Sequence, residues 1–251
     1  MFGLYLPRTW SPQSHVQPLR RRSAVLSFSP DRTAFFFPAC YDDGRMTKLL
    51  EVAGLACRRG GRRVFDNLSF SLASGELLVL TGPNGSGKTT LLRALALLVP
   101  ADAGAIRWQG ADVAADRESW RTSLAWLGHL DGLKGDLTVR ENLAVAQRLR
   151  AQPSDRERID DALAAFELVP LARRQVRTLS AGQRRRAALA RVVSSDAAVW
   201  LLDEPLNALD ADSQAALHVI LEGHLDSGGL AIAATHAPLR ISGAHSLELR
   251  P

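Results

Sequence analysis

The sequence predicts an α/β fold built on a parallel sheet, with an antiparallel β element ahead of it and a helical insertion within it. Three observations carry that prediction. Apolar runs at 77–80, 197–202 and 230–235 each lead into a polar, functional-looking stretch, the pattern of buried parallel strands whose carboxyl ends meet a ligand. Residues 82–90 set a glycine-rich turn between the first run and Leu91, Leu92, Leu95 and Leu98, which recur at helical spacing. Residues 49–72 instead alternate apolar and polar on either side of Gly60-Gly61, as a hairpin does.

Residues 1–45 show no sustained period, contain Pro7, Pro12, Pro18, Pro30 and Pro38, and carry the cluster Arg20-Arg21-Arg22. They read as an extension: a disordered tail, or translation begun upstream of a true start at Met46, with Phe35-Phe36-Phe37 as a docking element the third reading. The apolar stretch after the arginines is broken too early by Ser27, Ser29, Pro30, Asp31 and Arg32 for an export signal. From Met46 the pattern sharpens into 49–53, the Gly60-Gly61 turn, then Val64-Phe65, Leu68, Phe70 and Leu72. Residues 104–110, bounded by glycines, form a short strand.

Between Trp120 and Leu149 come the strand-like 124–127, a loop punctuated by Gly128, Gly132 and Gly135, and a helix opened by a capping box of Thr138 and Glu141. A second helical stretch runs from Asp155 to about Leu168. These segments are expected to form a helical subdomain over about 120–190. Residues 179–191 start a further helix, in which Arg184-Arg185-Arg186 reads as a partly solvated turn rather than a nucleic-acid contact. The apolar run 197–202 ends at Asp203-Glu204, and the run 230–235 ends at His236.

Composition narrows the classes. The 251 residues carry a net charge of +5, yet 46–251 hold 25 basic and 23 acidic residues, so no nucleic-acid partner is expected. No apolar stretch approaches the roughly 18 residues of a membrane-spanning helix. Cys40 and Cys57 lack the spacing of a zinc site or a disulfide framework, which fits a reducing compartment.

Gly82-Pro83-Asn84-Gly85-Ser86-Gly87-Lys88-Thr89-Thr90 fills the fixed positions of a phosphate loop in the strand-to-helix context that motif requires. Glycines let backbone N–H groups converge on phosphate oxygens at the positive end of a helix. Lys88 is expected to reach the β- and γ-phosphates, and the Thr89 hydroxyl to bind Mg²⁺. Asp203 is the second metal-binding candidate, and Glu204 the group that orients or deprotonates the attacking water.

With Leu179-Ser180-Ala181-Gly182-Gln183 added, residues 46–250 resemble the ATP-binding cassette (ABC) family of P-loop NTPases. The resemblance implies one cassette domain over 46–251 that binds ATP and Mg²⁺. It also implies a second copy closing head to tail, each ATP lying between one phosphate loop and the partner's Ser180 and Gly182. Leu206 to Asp210 resembles the family's D-loop, with Asp210 at the nucleotide interface, and His236 its switch histidine. Three positions depart from the family pattern. Ala181 replaces the usual glycine, which is tolerable at negative φ. His129 stands where a glutamine usually contacts metal and water; a neutral ring can do so, and a protonated one would repel the metal. Arg59 stands where an aromatic stacks on adenine, which implies modest base discrimination.

Residues 128–134 and 137–143, the arginine-rich run after Ser180-Ala181-Gly182-Gln183, Ile106 to Gly110 and the short C-terminus resemble more narrowly the haem-exporter ATPases of cytochrome c biogenesis. That implies a peripheral subunit on the cytoplasmic face of the bacterial inner membrane. It would work beneath a separate multi-span permease (CcmB-like) and with haem-handling membrane proteins. Whether the load is haem or a haem-loaded carrier stays open. So do an ATPase for another small-substrate transporter and, more distantly, a soluble cassette acting on ribosomes or DNA.

Overall fold

The computed structural model describes residues 49–150, 155–239 and 241–250; the expected extension at 1–45, Met46 and Cys40 lie outside them. Strands β1 (Leu49–Arg59) and β2 (Arg62–Ala73) form the expected hairpin. Gly60 and Gly61 both have positive φ, which matches the strand twist across a two-residue turn. With β4 (Ala103–Trp108) and β5 (Ala111–Asp112) they make an antiparallel sheet in the order β2-β1-β4-β5.

The second sheet is wholly parallel, in the order β6-β7-β8-β3-β9. Its strands are β3 (Leu77–Thr81), β6 (Leu124–Leu127), β7 (Val199–Asp203), β8 (Leu230–Ala234) and β9 (His245–Glu248). Every residue of β7 and β8 is buried, because both faces are covered. Val199 and Leu201 point into one core with Leu78 and Leu80, helix α1 (Lys88–Leu95) and the antiparallel sheet. Trp200 and Leu202 point into the other, with helices α3 (Val139–Arg148), α4 (Arg156–Ala165), α5 (Ala181–Val193) and α6 (Ala211–Asp226). The period of two along each strand thus divides the interior into two halves.

Two expectations change. Residues 120–127 belong to the α/β body rather than to the helical insertion. Trp120, on α2 (Arg117–Ser123), is buried against Trp108 and donates to Leu95 O at 2.8 Å, and β6 pairs directly with β7. The helix expected to reach Leu98 stops short of it: α1 ends at Leu95, Leu97 turns left-handed at φ +55°, and Leu98 is 61% exposed. The Thr138–Glu141 capping box is present, and a second box joins Ser180 to Gln183 at the start of α5. Among the described residues no helix is long and apolar enough to cross a membrane.

Candidate functional site

The carboxyl ends of β3, β6, β7 and β8 lie side by side, and the predicted residues collect there. The loop from Gly82 to Gly87 needs its glycines. At Gly82 (φ +129°) a Cβ would come within 2.2 Å of Leu249 O, and at Gly87 (φ +102°) within 2.5 Å of Val64 Cγ1. Among the described residues no backbone carbonyl accepts from the amides of Gly85, Gly87, Lys88, Thr89 or Thr90, which leaves these donors open to a ligand. The Ser86 hydroxyl is buried without a partner. Lys88 is 8% exposed and donates to Gly82 O at 2.7 Å and Pro83 O at 3.0 Å, which holds its charge inside the loop. Pro83 and Asn84 lie within the loop, and Thr90 is in the first turn of α1.

Asp203 closes β7, 3% exposed; Thr89 Oγ1 donates to its Oδ1 at 3.1 Å, and its Oδ2 is buried with no hydrogen bond. An orphaned carboxylate oxygen beside a hydroxyl, at the mouth of a phosphate cradle, suits Mg²⁺, which takes one or two protein ligands and completes its shell with phosphate and water. No group of three or more His, Cys, Asp or Glu side chains gathers among the described residues, so no all-protein metal cage competes with this pair.

Glu204 follows in a left-handed conformation, φ +49°, and its amide donates to Ala234 O at 2.8 Å. A non-glycine residue held there costs about 1–2 kcal/mol, which points to a function for its placement. His236, just past β8, has Nε2 2.9 Å from Asn84 Oδ1 and 3.6 Å from Glu204 Oε1. With the proton on Nε2 the ring donates to Asn84, while the His236 backbone amide donates to Glu204 Oε2 at 3.5 Å.

The remaining predicted residues stand apart from this centre. Ser180 is exposed, accepts from Gln183 N as the cap of α5, and makes no hydrogen bond with 82–90. Ala181 is the first residue of α5 and is absent from the positive-φ residues, so alanine is unstrained there. A Cβ on Gly182 would lie 3.1 Å from Ala208 O, which brings the 179–183 segment against the one ending at Asp210. Asp210 caps α6; the hydroxyl and amide of Ser213 hold its carboxyl below the usual range. His129 is exposed directly after β6 and has no hydrogen bond to Thr89, Asp203 or Glu204. Arg59 is exposed at the hairpin end of β1.

The reading of Arg184-Arg185-Arg186 as a solvated turn is corrected at its middle residue. Arg185 is 5% exposed and donates to Gly128 O at 3.0 Å, Asp203 O at 2.8 Å and Glu204 O at 2.6 Å. Burial pushes its pKa down, and Asp131, 3.5 Å away, opposes that. Nothing in the sequence marked it, because the carbonyls it binds carry no side-chain signature.

Comparison with known proteins agrees with this geometry. The family model described as ABC transporter matches residues 65–207. The chain is 45% identical over 196 residues to the cytochrome c biogenesis ATP-binding export protein CcmA 2 of Cupriavidus metallidurans, covering 78% of this chain and 93% of that protein. It is 46% identical over 195 residues to the protein CcmA of Rhodospirillum rubrum, covering 78% and 83%. Among solved structures, an ABC transporter ATP-binding protein from Pyrococcus furiosus superposes with TM-score 0.70 at 24% identity, covering 80% of this chain and 97% of that one. An ATP-binding cassette dimer in a post-hydrolysis state with ADP and Pi gives 0.68 at 22% identity, covering 75% and 88%. These two likenesses concern the fold.

Proposed function

The chain belongs to the ABC transporter family, and on that premise we propose that it is the ATP-hydrolysing subunit of an export complex for c-type cytochrome maturation, moving haem or releasing a haem-loaded carrier. The similarity to cytochrome c biogenesis export proteins over most of both chains carries the assignment of the load. The chemistry is carried by the meeting of Lys88, Thr89, Asp203 and Glu204 at one end of the parallel sheet.

ATP enters with its phosphates against the amides of residues 85 and 87–90, and Lys88 leaves the carbonyls of Gly82 and Pro83 for the phosphate charge. Thr89 and Asp203 hold Mg²⁺, which when bound neutralises charge developing on the phosphate oxygens. Glu204, whose side chain is 17% exposed, accepts the proton of the attacking water or orients it. His236 fixes the loop through Asn84 and presents its ring to the γ-phosphate. His129 is left exposed to contact metal or water. Ser180, which its own chain leaves exposed, and Gly182 complete the site of a second copy, whose Asp210 segment lies at the same interface.

The complex works at the cytoplasmic face of the bacterial inner membrane, beneath a multi-span permease of the CcmB kind and with haem-handling membrane proteins. Deleting the gene and scoring covalent c-type cytochromes tests the assignment. Their loss, restored by the intact gene, is the expected result; normal levels would sink the haem assignment and leave ATP hydrolysis standing.

A further inference from the structure

We infer that Arg185 is a positioning residue for ATP hydrolysis: it ties the helix beginning at Ser180 to the strand end that carries Asp203 and Glu204, so that the carboxylate is set by where that helix lies. The inference rests on the ATPase reading above.

β6 is an edge strand with β7 on one side only, and the carbonyls of Leu124, Trp126 and, just past its end, Gly128 accept from side chains. An uncovered row of this kind invites unwanted pairing. Arginines from the helical side close it: Arg150 donates to Leu124 O, Arg191 to Trp126 O at 2.8 Å, and Arg185 to Gly128 O at 3.0 Å. Edge closure accounts for Arg191, and for Arg150 apart from its second bond, to Thr122 O on α2. It does not account for Arg185, whose second terminal nitrogen reaches past the edge to Asp203 O at 2.8 Å and Glu204 O at 2.6 Å. The planar fork of a guanidinium serves carbonyls of two strands at once; a lysine ammonium is a single point that cannot span them with the same geometry.

The held peptide is the strained one. Glu204 keeps φ +49° with its amide bound to Ala234 O and its carbonyl bound to Arg185, so both flanking groups are pinned. Such a conformation persists only where surrounding contacts over-determine it. Arg185 lies five residues after Ser180 on the continuous helix α5, whose first turn is fixed by the Ser180–Gln183 box. A displacement of Ser180 on meeting the partner's nucleotide therefore moves the guanidinium and, with it, the Glu204 carbonyl. Hydrolysis in a chain's own site thus depends on how its helix α5 engages the other site.

The test compares full-length Arg185→Lys with Arg191→Lys, which covers the same edge and touches nothing on β7. The expected result is a kcat about 10- to 100-fold lower for Arg185→Lys with the KM for ATP within about threefold. Arg191→Lys is expected to keep kcat within about twofold despite a similar fall in Tm. Arg185→Gln, which keeps an amide donor without burying a charge, should lie between wild type and Arg185→Lys. Unchanged kcat in Arg185→Lys, or kcat and Tm falling in proportion for both lysine variants, overturns the inference. Failure of both Arg185 variants to fold, with Arg191→Lys folded, assigns a structural role and also overturns it. A wild type without ATP hydrolysis overturns the proposed function and this inference together; hydrolysis by wild type and Arg185→Lys alike overturns the inference alone.

Discussion

Thr89 Oγ1 donates to Asp203 Oδ1 at 3.1 Å, joining the first turn of α1 to the end of β7 across 114 residues of chain, and leaves Asp203 Oδ2 buried without a hydrogen bond. Asp203→Asn keeps the shape and removes the charge that a metal requires. ATP affinity measured by titration calorimetry should fall about 10- to 100-fold with Mg²⁺ present, the scale of one charge-assisted interaction of about 1.5–3 kcal/mol. In EDTA the two proteins should bind ATP alike. An equal loss in both conditions would show that Asp203 does not act through the metal.

Gly82 and Gly85 separate two demands on the same loop. Both have positive φ, but a Cβ at Gly82 would meet Leu249 O at 2.2 Å, whereas nothing lies within 4 Å of one at Gly85. Gly85→Ala should cost about 1–2 kcal/mol from backbone strain alone. Gly82→Ala adds overpacking of about 1–3 kcal/mol against a backbone carbonyl that cannot step aside, and should also abolish ATP binding. Chemical denaturation of both variants checks the ranking, and equal costs would contradict it.

Much of this was legible in the sequence because the signals are local. The apolar runs at 77–80 and 230–235 became β3 and β8, the Thr138–Glu141 box formed, and the residues from Gly82 to Thr90, Asp203, Glu204 and His236 gathered at the carboxyl ends of the parallel strands. What escaped is long-range. Residues 124–127 resembled part of a helical insertion because their neighbours in sequence are helical, while their pairing partners in β7 are 75 residues away. β9 has a weak period of two with only His245 and Leu247 half-buried, so nothing marked it as an edge strand. Arg185 was hidden for a further reason: its partners are backbone carbonyls, to which sequence patterns are blind.

His245 and Glu76 fasten that edge strand, with Nε2 and Oε1 3.4 Å apart. The hydrogen bond to Glu76 raises the His245 pKa against its burial. Burial pushes the Glu76 carboxyl up, but hydrogen bonds from His245 and the Ala73 amide and the His245 charge bring it below the usual range. The histidine contribution is full below its unfolded value of 6.5 and is lost as pH rises through the raised folded value. The glutamate contribution is full above its unfolded value of 4.5 and is lost as pH falls through the lowered one. The pair therefore stabilises most between those two limits. Between pH 6 and 8 the wild-type Tm should fall about 2 °C further than that of Glu76→Gln, as suits a partly exposed pair worth up to about 1 kcal/mol. Parallel Tm curves would remove the pair from the account.

Arg59 is exposed at the hairpin end of β1, and we propose that its guanidinium lies over the nucleotide base. A guanidinium lying over a base plane discriminates weakly between purines. Competition of GTP against ATP should therefore show a preference within about fivefold. A preference near 100-fold would require a base-reading contact that Arg59 does not supply.

The proposal that hydrolysis at Glu204 powers cytochrome c maturation is tested by replacing the chromosomal gene with Glu204→Gln. The purified variant should bind ATP with near-wild-type affinity and hydrolyse it about 10²- to 10⁴-fold more slowly. Cells carrying it should lose covalent c-type cytochromes as completely as a deletion strain. Wild-type levels of covalent c-type cytochromes in cells whose protein no longer hydrolyses ATP would contradict the account.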